Sequence, residues 1–469
     1  MRFYNYEGRW GLAYDQAHDA VVAQHALEAH KIPLVGPFSS AGPFQTGGEW
    51  YWIIMLGTAL YPNSVIAPWI FLTSISVLFV YVIILVSKEL IDKKFGLLIG
   101  LLATFSTAQI TQSTNLTNQT PLAIIALFSI WMMVRYVKLR KSKYLFFLGI
   151  LVGLAGTIHL QGVLLLLLPF SLFLFNGKPS ARSVGILLIG LLIPLIPLLI
   201  FDLQSNFINI SSMVQYYLHD QYKISLDVLG RRWLTYAGIF WPKTWGHVIG
   251  GNMITGYVLI IGVLLIAFYQ FLKKKIKKEW YIMLISFLLA VIVLRYTRTP
   301  LFESYVVFLH PLILLLTGWL MYVLYSVKKA FGILFIVIVL IGSANKDINE
   351  IVNAENYTSF RVNNWKNKLT SQFPGDKFSL YDYKYKTVDM SLPLVLYLNS
   401  DKKIFDKGIK IGMVFATKSG EFNFPLIYGE KTGHQILNLN SLTNKELREE
   451  GWTLINPSEV YRTTEDWYK

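Results

Sequence analysis

Ten apolar runs separated by short polar breaks occupy the chain from Val65 to Ile341. They are Val65–Ser87, Phe95–Ser113, Leu122–Val137, Tyr144–Ile158, Val163–Phe175, Val184–Phe201, Met253–Phe271, Trp280–Leu294, Tyr305–Tyr325 and Phe331–Ile341. A bilayer-crossing helix needs roughly 17–25 mostly apolar residues. Val184–Phe201 and Met253–Phe271 carry no charge at all. Ahead of these runs, residues 15–30 place Ala20, Ala23 and Leu27 on one helical face and His18, Gln24 and His25 elsewhere. Glu49–Tyr61 is rich in Trp and Tyr, the residues favoured at a membrane–water boundary. After Ile341 the pattern changes to strand-like alternation at Phe378–Tyr381, Ile409–Phe415 and Thr453–Ile455, with turn signals at Pro374-Gly375 and Ser419-Gly420. The pattern predicts a mainly α, polytopic transmembrane helical bundle with a small C-terminal α/β soluble domain. Residues 1–64 form a first outer loop with two interfacial helices. Residues 65–344 form the transmembrane domain, with a long outer loop over 202–252, and residues 345–469 the α/β domain.

Composition agrees with the pattern. The 469 residues are 54% hydrophobic and 15% charged, with a mean hydropathy of +0.45. Soluble domains carry about 25% charge. The net charge of +15 would fit a nucleic-acid binder, but its placement excludes that reading. Alternate breaks hold Lys88, Lys93 and Lys94; Arg135, Lys138, Arg140, Lys141 and Lys143; Lys178 and Arg182; Lys273–Lys278; and Lys328 and Lys329. Together they carry 17 basic residues against three acids, Glu89, Asp92 and Glu279. Such a bias orients those breaks to the cytoplasm. It also divides Tyr144–Phe175 into two helices, because one helix would put neighbouring basic breaks on opposite faces. The N-terminal segment, 113–120, 202–252 and the tail from Gly342 then lie on the outer face. The absence of cysteine removes a disulfide framework, thiolate metal ligands and a Cys nucleophile.

Ionisable residues are nearly missing from the centres of the runs, His310 being the main exception. A proton pump or ion-coupled transporter is expected to carry them there. Polar groups gather instead at the outer ends: Asp15 and Asp19, Asn115 and Asn118, His159 and Gln161, Asp202, Arg231 and Arg232, Arg295 and Arg298, and Glu303. That distribution suits a reaction on a lipid-borne substrate whose headgroup lies at the outer interface.

Several segments resemble a family in order along the chain. Tyr14-Asp15-Gln16-Ala17-His18-Asp19-Ala20, Lys31-Ile32-Pro33-Leu34-Val35-Gly36-Pro37 and Gly47-Gly48-Glu49-Trp50-Tyr51-Trp52 resemble the first outer loop of bacterial GT-C glycosyltransferases. The subgroup is the dolichyl-phosphate-mannose protein mannosyltransferase-like (family 39) and aminoarabinose transferase-like enzymes. Asn118-Gln119-Thr120-Pro121, His159-Leu160-Gln161, Phe201-Asp202 through Phe207, and Glu303-Ser304-Tyr305 with His310-Pro311 resemble its later motifs. In the family a transmembrane helix precedes the acidic motif, and no such run or signal peptide lies ahead of Asp15 here. With a cytoplasmic start, ten spans become eleven. Many relatives carry Asp-Glu where this chain has Asp15-Gln16, and an acid in the second outer loop, where 113–120 has none.

The resemblance implies a GT-C type bundle in the cell membrane that moves a sugar from a polyprenyl-phosphate donor to a protein, lipid or polysaccharide acceptor, with inversion. Its partners are that donor, membrane lipids and a glycan acceptor, and no nucleic acid. The chemistry requires a carboxylate to take the acceptor's proton and cations to steady the departing phosphate. Asp15 is the candidate base. Taken alone it reads as the N-cap of the helix that follows. Asp19, His18, Asn118, His159, Gln161, Asp202 and Glu303 are the candidate acceptor-site or supporting residues. Asp19 also fits a solvent-facing position, and His159 a satisfied helix end. Arg231, Arg232, Arg295 and Arg298 are candidates for the donor phosphate, since Arg pairs phosphate oxygens bidentately; interfacial arginines meeting lipid headgroups fit equally. No cofactor is expected. A metal site is not supported, because His18 and Asp19 are adjacent and not at the i, i+4 spacing of one helix face. The rival reading is a transporter or flippase of lipid-linked sugars.

Overall fold

The computed structural model describes all residues except 40, 41, 43, 63, 178, 220–232, 297–301, 406, 419, 430, 431 and 466–469. The first loop gives α1 (Tyr14–Glu28), a two-stranded antiparallel hairpin of β1 (Val35–Phe38) and β2 (Gln45–Gly47), and α2 (Glu49–Leu60). Each of the ten apolar runs is helical. They form α3 (Ala67–Leu90), α4 (Lys93–Thr104) with α5 (Thr107–Ser113), α6 (Leu122–Leu139), α7 (Ser142–Ile158), α8 (Leu167–Asn176), α9 (Ala181–Leu192) with α10 (Ile196–Gln204), α13 (Met253–Leu272), α14 (Lys278–Arg295), α15 (His310–Val327) and α16 (Lys329–Val352). The long loop supplies α11 (Ile208–His219) and α12 (Trp241–Ile249). Among the described residues five helices are long and apolar enough to cross a bilayer, or seven if each bent pair is one span. The chain is a multi-pass membrane protein.

Two runs bend. Between α9 and α10 the axis turns by 62°. Pro194 has no N–H to donate there, and Pro197 occupies the first turn of α10. Between α4 and α5 it turns by 59°, and Ser106 caps the new start by accepting from Gln109 N–H at 3.3 Å. The Tyr144–Phe175 run does divide in two. The 3₁₀ segment Leu160–Leu166 folds back on α7, and a Cβ at Gly162 would stand 2.0 Å from the Ala155 carbonyl. Small residues also let α7 and α9 touch backbone to backbone: a Cβ at Gly149 would meet Leu187 O at 2.2 Å and one at Gly190 would meet Phe146 O at 2.2 Å. α15 is the bundle's centre, buried at every position from His310 to Met321, as expected for a helix apolar all round. α13 is peripheral and buries only Gly256, Leu259, Val263 and Ala267, one helical stripe.

The two ends of the bundle differ. At the lysine-rich end Glu89 accepts from Arg135 and Trp131, each at 2.9 Å, and Asp92 accepts from Tyr322 at 2.6 Å. At the opposite end sit the first loop, the long loop and the tail domain. That domain comprises α17 (Tyr357–Gln372), β3 (Phe378–Tyr383), α18 (Val388–Ser400), β4 (Ile409–Ala416), β5 (Leu426–Gly429), β6 (Gly433–Asn438), α19 (Asn444–Glu449), β7 (Trp452–Ile455) and α20 (Pro457–Glu465). Its strand order is β5-β6-β4-β3-β7. β3 and β4 are parallel and joined through α18; the other pairs are antiparallel. The fold is therefore the expected mainly α bundle with a small α/β domain.

α1 differs from expectation. It is anticipated as an interfacial helix, yet Gln16, Ala17, Asp19–Gln24 and Ala26 are all buried. α2, α18 and α20 pack around it, so its apolar stripe is spent on protein. α2 keeps an exposed face with Leu56, Leu60 and Tyr61, in keeping with a lipid boundary.

Candidate active site

A cavity of about 520 Å³ opens where the first loop meets the bundle. One wall is the first turns of α1, presenting Tyr14, Asp15, His18 and Asp19. The facing wall is the loop Asn115–Gln119, the α7 end at His159–Gln161, and Phe302, Ser304 and Tyr305 ahead of α15. Pro37, Phe38, Ser39 and Thr46 of the hairpin close it on a third side. The hairpin is fixed by Asn209 of α11, which accepts from Gln45 N–H at 2.7 Å.

The helix-cap reading of Asp15 does not hold. Ala13 is the N-cap, its N–H donating to Gln16 Oε1 at 3.1 Å. Asp15 lies one position inside the helix with its carboxylate exposed to the cavity. Burial of its surroundings, and then the charge of Asp19, push its pKa up; His18 opposes the rise. Asp19 is buried and fully dressed: it accepts from Trp50 Nε1 at 2.6 Å, His18 Nδ1 at 3.1 Å and Tyr51 OH at 3.4 Å. The solvent-facing alternative for Asp19 is thereby removed.

The facing wall is neutral. Asn118 donates to the Ile158 carbonyl at 3.1 Å, an acceptor left over at the end of α7. His159 Nδ1 accepts from Gln161 N–H at 3.3 Å, and its Nε2 lies 3.0 Å from the Gln119 side-chain nitrogen. Burial pushes the His159 pKa down to about 4, and the ring stays uncharged at neutral pH. It is thus a satisfied helix end and a cavity-wall group at once. Among the described residues the lining holds no lysine or arginine.

Other candidates lie elsewhere. Asp202 is buried, its Oδ1 accepting from Asn209 and Ile210 N–H at 2.9 and 3.2 Å; it caps α11 and does not reach the cavity lining. Glu303 pairs with His247 at 2.6 Å and Lys243 at 3.4 Å on α12, although its neighbours Ser304 and Tyr305 face the cavity. Arg295 is fully buried with its guanidinium 4.8 Å over the Trp233 ring, outside the lining. Arg231, Arg232 and Arg298 lie outside the described residues. Mid-bundle, His310 pairs with Gln109 at 2.7 Å.

One acid is not anticipated by the sequence reading. Glu49, at the start of α2, is buried, and neither carboxyl oxygen makes a well-formed hydrogen bond among the described residues. Burial raises its pKa to about 7, tempered by its own N–H and by Thr157. It fits only because Gly47 has no side chain: a Cβ there would stand 2.2 Å from Glu49 Oε2. The family-like Gly47-Gly48-Glu49 run is the signal that could have pointed to it.

Residues 50–201 match the family described as dolichyl-phosphate-mannose-protein mannosyltransferase. That stretch is less than half of the chain and begins after Asp15. No curated protein matches the chain in sequence. Two solved structures share its fold. The chain is similar to ArnT from Cupriavidus metallidurans in the apo state, with a TM-score of 0.59 at 10% identity over 92% of this chain and 93% of that one. Its likeness to ArnT from the same organism bound to undecaprenyl phosphate has a TM-score of 0.62 at 9% identity, over 92% and 95%. At such identities the likeness shows the architecture alone, a fold shared with ArnT.

Proposed function

We propose that the protein is a membrane glycosyltransferase that moves a sugar from a polyprenyl-phosphate donor to an acceptor at the non-cytoplasmic face, with inversion. The observation that carries the reading is the cavity in which the solvent-open carboxylate of Asp15 stands beside the hydrogen-bonded Asp19. The cavity lies at the bundle end opposite the lysine-rich breaks, which the charge rule assigns to the cytoplasm. The fold is that of ArnT, one of whose structures holds undecaprenyl phosphate, and a polyprenyl phosphate is the donor carrier proposed here.

In this reading the acceptor oxygen forms a bond to the sugar's anomeric carbon as the bond from that carbon to the phosphate oxygen breaks. The electron pair leaves with the polyprenyl phosphate. Asp15 takes the acceptor's proton, and its raised proton affinity makes it a better base than an ordinary carboxylate. Asp19 anchors the α1 wall through Trp50 and Tyr51 and keeps His18 turned toward the carboxylates. Asn118, Gln119, His159 and Gln161 supply neutral donors and acceptors suited to sugar hydroxyls. Two carboxylates without a neighbouring cation are a poor seat for phosphate, so the donor phosphate is assigned to the candidate arginines: Arg295, which lies outside this lining, and Arg231, Arg232 and Arg298.

The test is an Asp15→Asn variant, with glycans from cells carrying the parent, the variant or no copy compared by mass spectrometry. Loss of the product with the protein still folded and lipid-linked sugar still crossing the membrane supports transfer. Loss of that lipid transport would favour a flippase, and an unchanged product would remove Asp15 as the base.

A further inference from the structure

The two walls of the cavity belong to different parts of the molecule. The neutral wall is built from turns of the bundle, whereas the carboxylate wall is α1. α1 is pinned to the bundle at its start, where Gln16 Nε2 donates to Asn115 Oδ1 at 3.0 Å beside a backbone bridge between Gly11 and Asn115. Two turns later it is fastened to the tail domain. Gln24 Nε2 donates to Ser400 Oγ at 3.0 Å, and Asn399 Nδ2 donates back to Gln24 Oε1 at 3.0 Å. Gln24, Asn399 and Ser400 are all buried, where an unmade hydrogen bond is costly. Beyond the clamp, the His25 ring packs 5.2 Å from Tyr461 of α20, and Lys31 lies 5.3 Å over the same ring. α20 also touches β1, which brings Pro37 and Phe38 to the cavity.

At ~1.5 Å per residue the two fasteners are about 12 Å apart along the helix, and Asp19 lies between them. A helix held at both ends has its carboxylates fixed relative to the neutral wall; without the clamp its hydrogen bonds are those to Asn115 and, at Asp19, to Trp50 and Tyr51, and its far half, left to side-chain packing, can shift. We infer that the tail domain is a structural part of the active site, and that Gln24 and Asn399 are positioning residues for the carboxylates of α1. The inference rests on the reading of Asp15 as base only for its consequence in turnover; the geometric part stands on its own.

The chain contains no cysteine, so two introduced thiols report on α1 alone. Spin labels at Glu28→Cys, at the far end of α1, and Thr111→Cys, on the bundle, both exposed positions, are to be measured in the full-length protein. In the parent they give a narrow distance distribution. Gln24→Met removes both clamp bonds at nearly constant volume and is expected to widen or shift that distribution. Product made in cells is expected to fall about tenfold. The exchanged pair Gln24→Asn with Asn399→Gln is expected to restore both. Asn399→Ser, which removes one of the two bonds, serves if Gln24→Met does not fold. An unchanged distribution in a folded clamp variant overturns the inference. If Asp15→Asn leaves the product unchanged, the base assignment fails while the distance measurement still decides this one. If Asp15→Asn is inactive and the clamp variants retain the parent's product and distances, only the positioning role falls.

Discussion

The two ends of the bundle differ in whether they leave an acid open: the cavity end has partnered acids too, at Asp19, Asp202 and Glu303, but leaves two others without such partners. At the lysine-rich end Glu89 and Asp92 both serve the structure. Glu89 holds Arg135 and Trp131, and Asp92 accepts from Phe95 N–H to cap α4 and from Tyr322. At the other end Asp15 faces open cavity and Glu49 is buried without a well-formed hydrogen bond. A buried polar group left unmade costs about 1–3 kcal/mol. The lysine-rich end thus uses Glu89 and Asp92 in its own structure, and the other leaves the Asp15 and Glu49 carboxylates open to a ligand, water or a proton.

The largest effect expected from this contrast is at Asp15. General-base removal typically lowers turnover by roughly 10²–10⁴-fold, so Asp15→Asn is expected to abolish detectable product while the protein still folds. Asp19→Asn comes next. It keeps an oxygen for Trp50 but removes the charge that helps raise the Asp15 pKa. Activity is expected to drop about tenfold, and the acid limb of the rate profile to move to lower pH. The sign follows because a carboxylate without an anionic neighbour loses its proton more readily. A rate profile whose acid limb stays put in this variant would show that the two carboxylates do not share a field.

The helices of the bundle are legible in the sequence because a bilayer-length apolar run has few other uses. The α9–α10 bend is also legible, in Pro194 and Pro197. The α4–α5 bend is not: no proline or glycine marks it, and Ser106 acts only through a cap. The burial of α1 escapes reading for a different reason. Its stripe of Ala and Val suits lipid and protein alike, and the partners of Gln24 stand about 375 positions away. In the site, Asp15, His18, Asp19, Asn118, His159 and Gln161 share one cavity, since the polar ends of consecutive helices are forced to the same side. Asp202 shows the limit of that logic. It sits at the same end, but the turn after it offers two backbone N–H groups nearer than any cavity. The strands β5 and β6 are no shorter than β7 and β3, but their sequences are too irregularly patterned to stand out.

Glu49 gives a smaller, pH-dependent effect. Its folded pKa, about 7, lies above the ordinary carboxylate value of 4.5. Below pH 4.5 it is protonated in both states and contributes no penalty. Between 4.5 and about 7 the unfolded chain releases the proton and the folded one retains it, so stability falls as pH rises. The full penalty, on the order of 3 kcal/mol from that separation, is present above pH 7. Glu49→Gln is therefore expected to melt less differently at pH 5 and pH 8 than the parent does. Identical pH dependence in the two proteins would mean that Glu49 finds a partner on folding.

The smallest effect is expected at the lysine-rich end. Glu89→Gln leaves Trp131 an acceptor and removes the charge facing Arg135, in a pair whose side chains are 22% and 36% exposed. Half-exposed ion pairs contribute about 0–1 kcal/mol, so the melting temperature should move by a few degrees at most. Product in cells should stay at the parent level, because Glu89 touches nothing near the cavity. The variant is informative because both Glu89 and Asp15 are acids on a bundle of one fold, differing in what surrounds them. A loss of product from Glu89→Gln as deep as from Asp15→Asn, in protein that melts normally, would mean that the lysine-rich end takes part in the chemistry. The division of labour between the ends would then have to be abandoned.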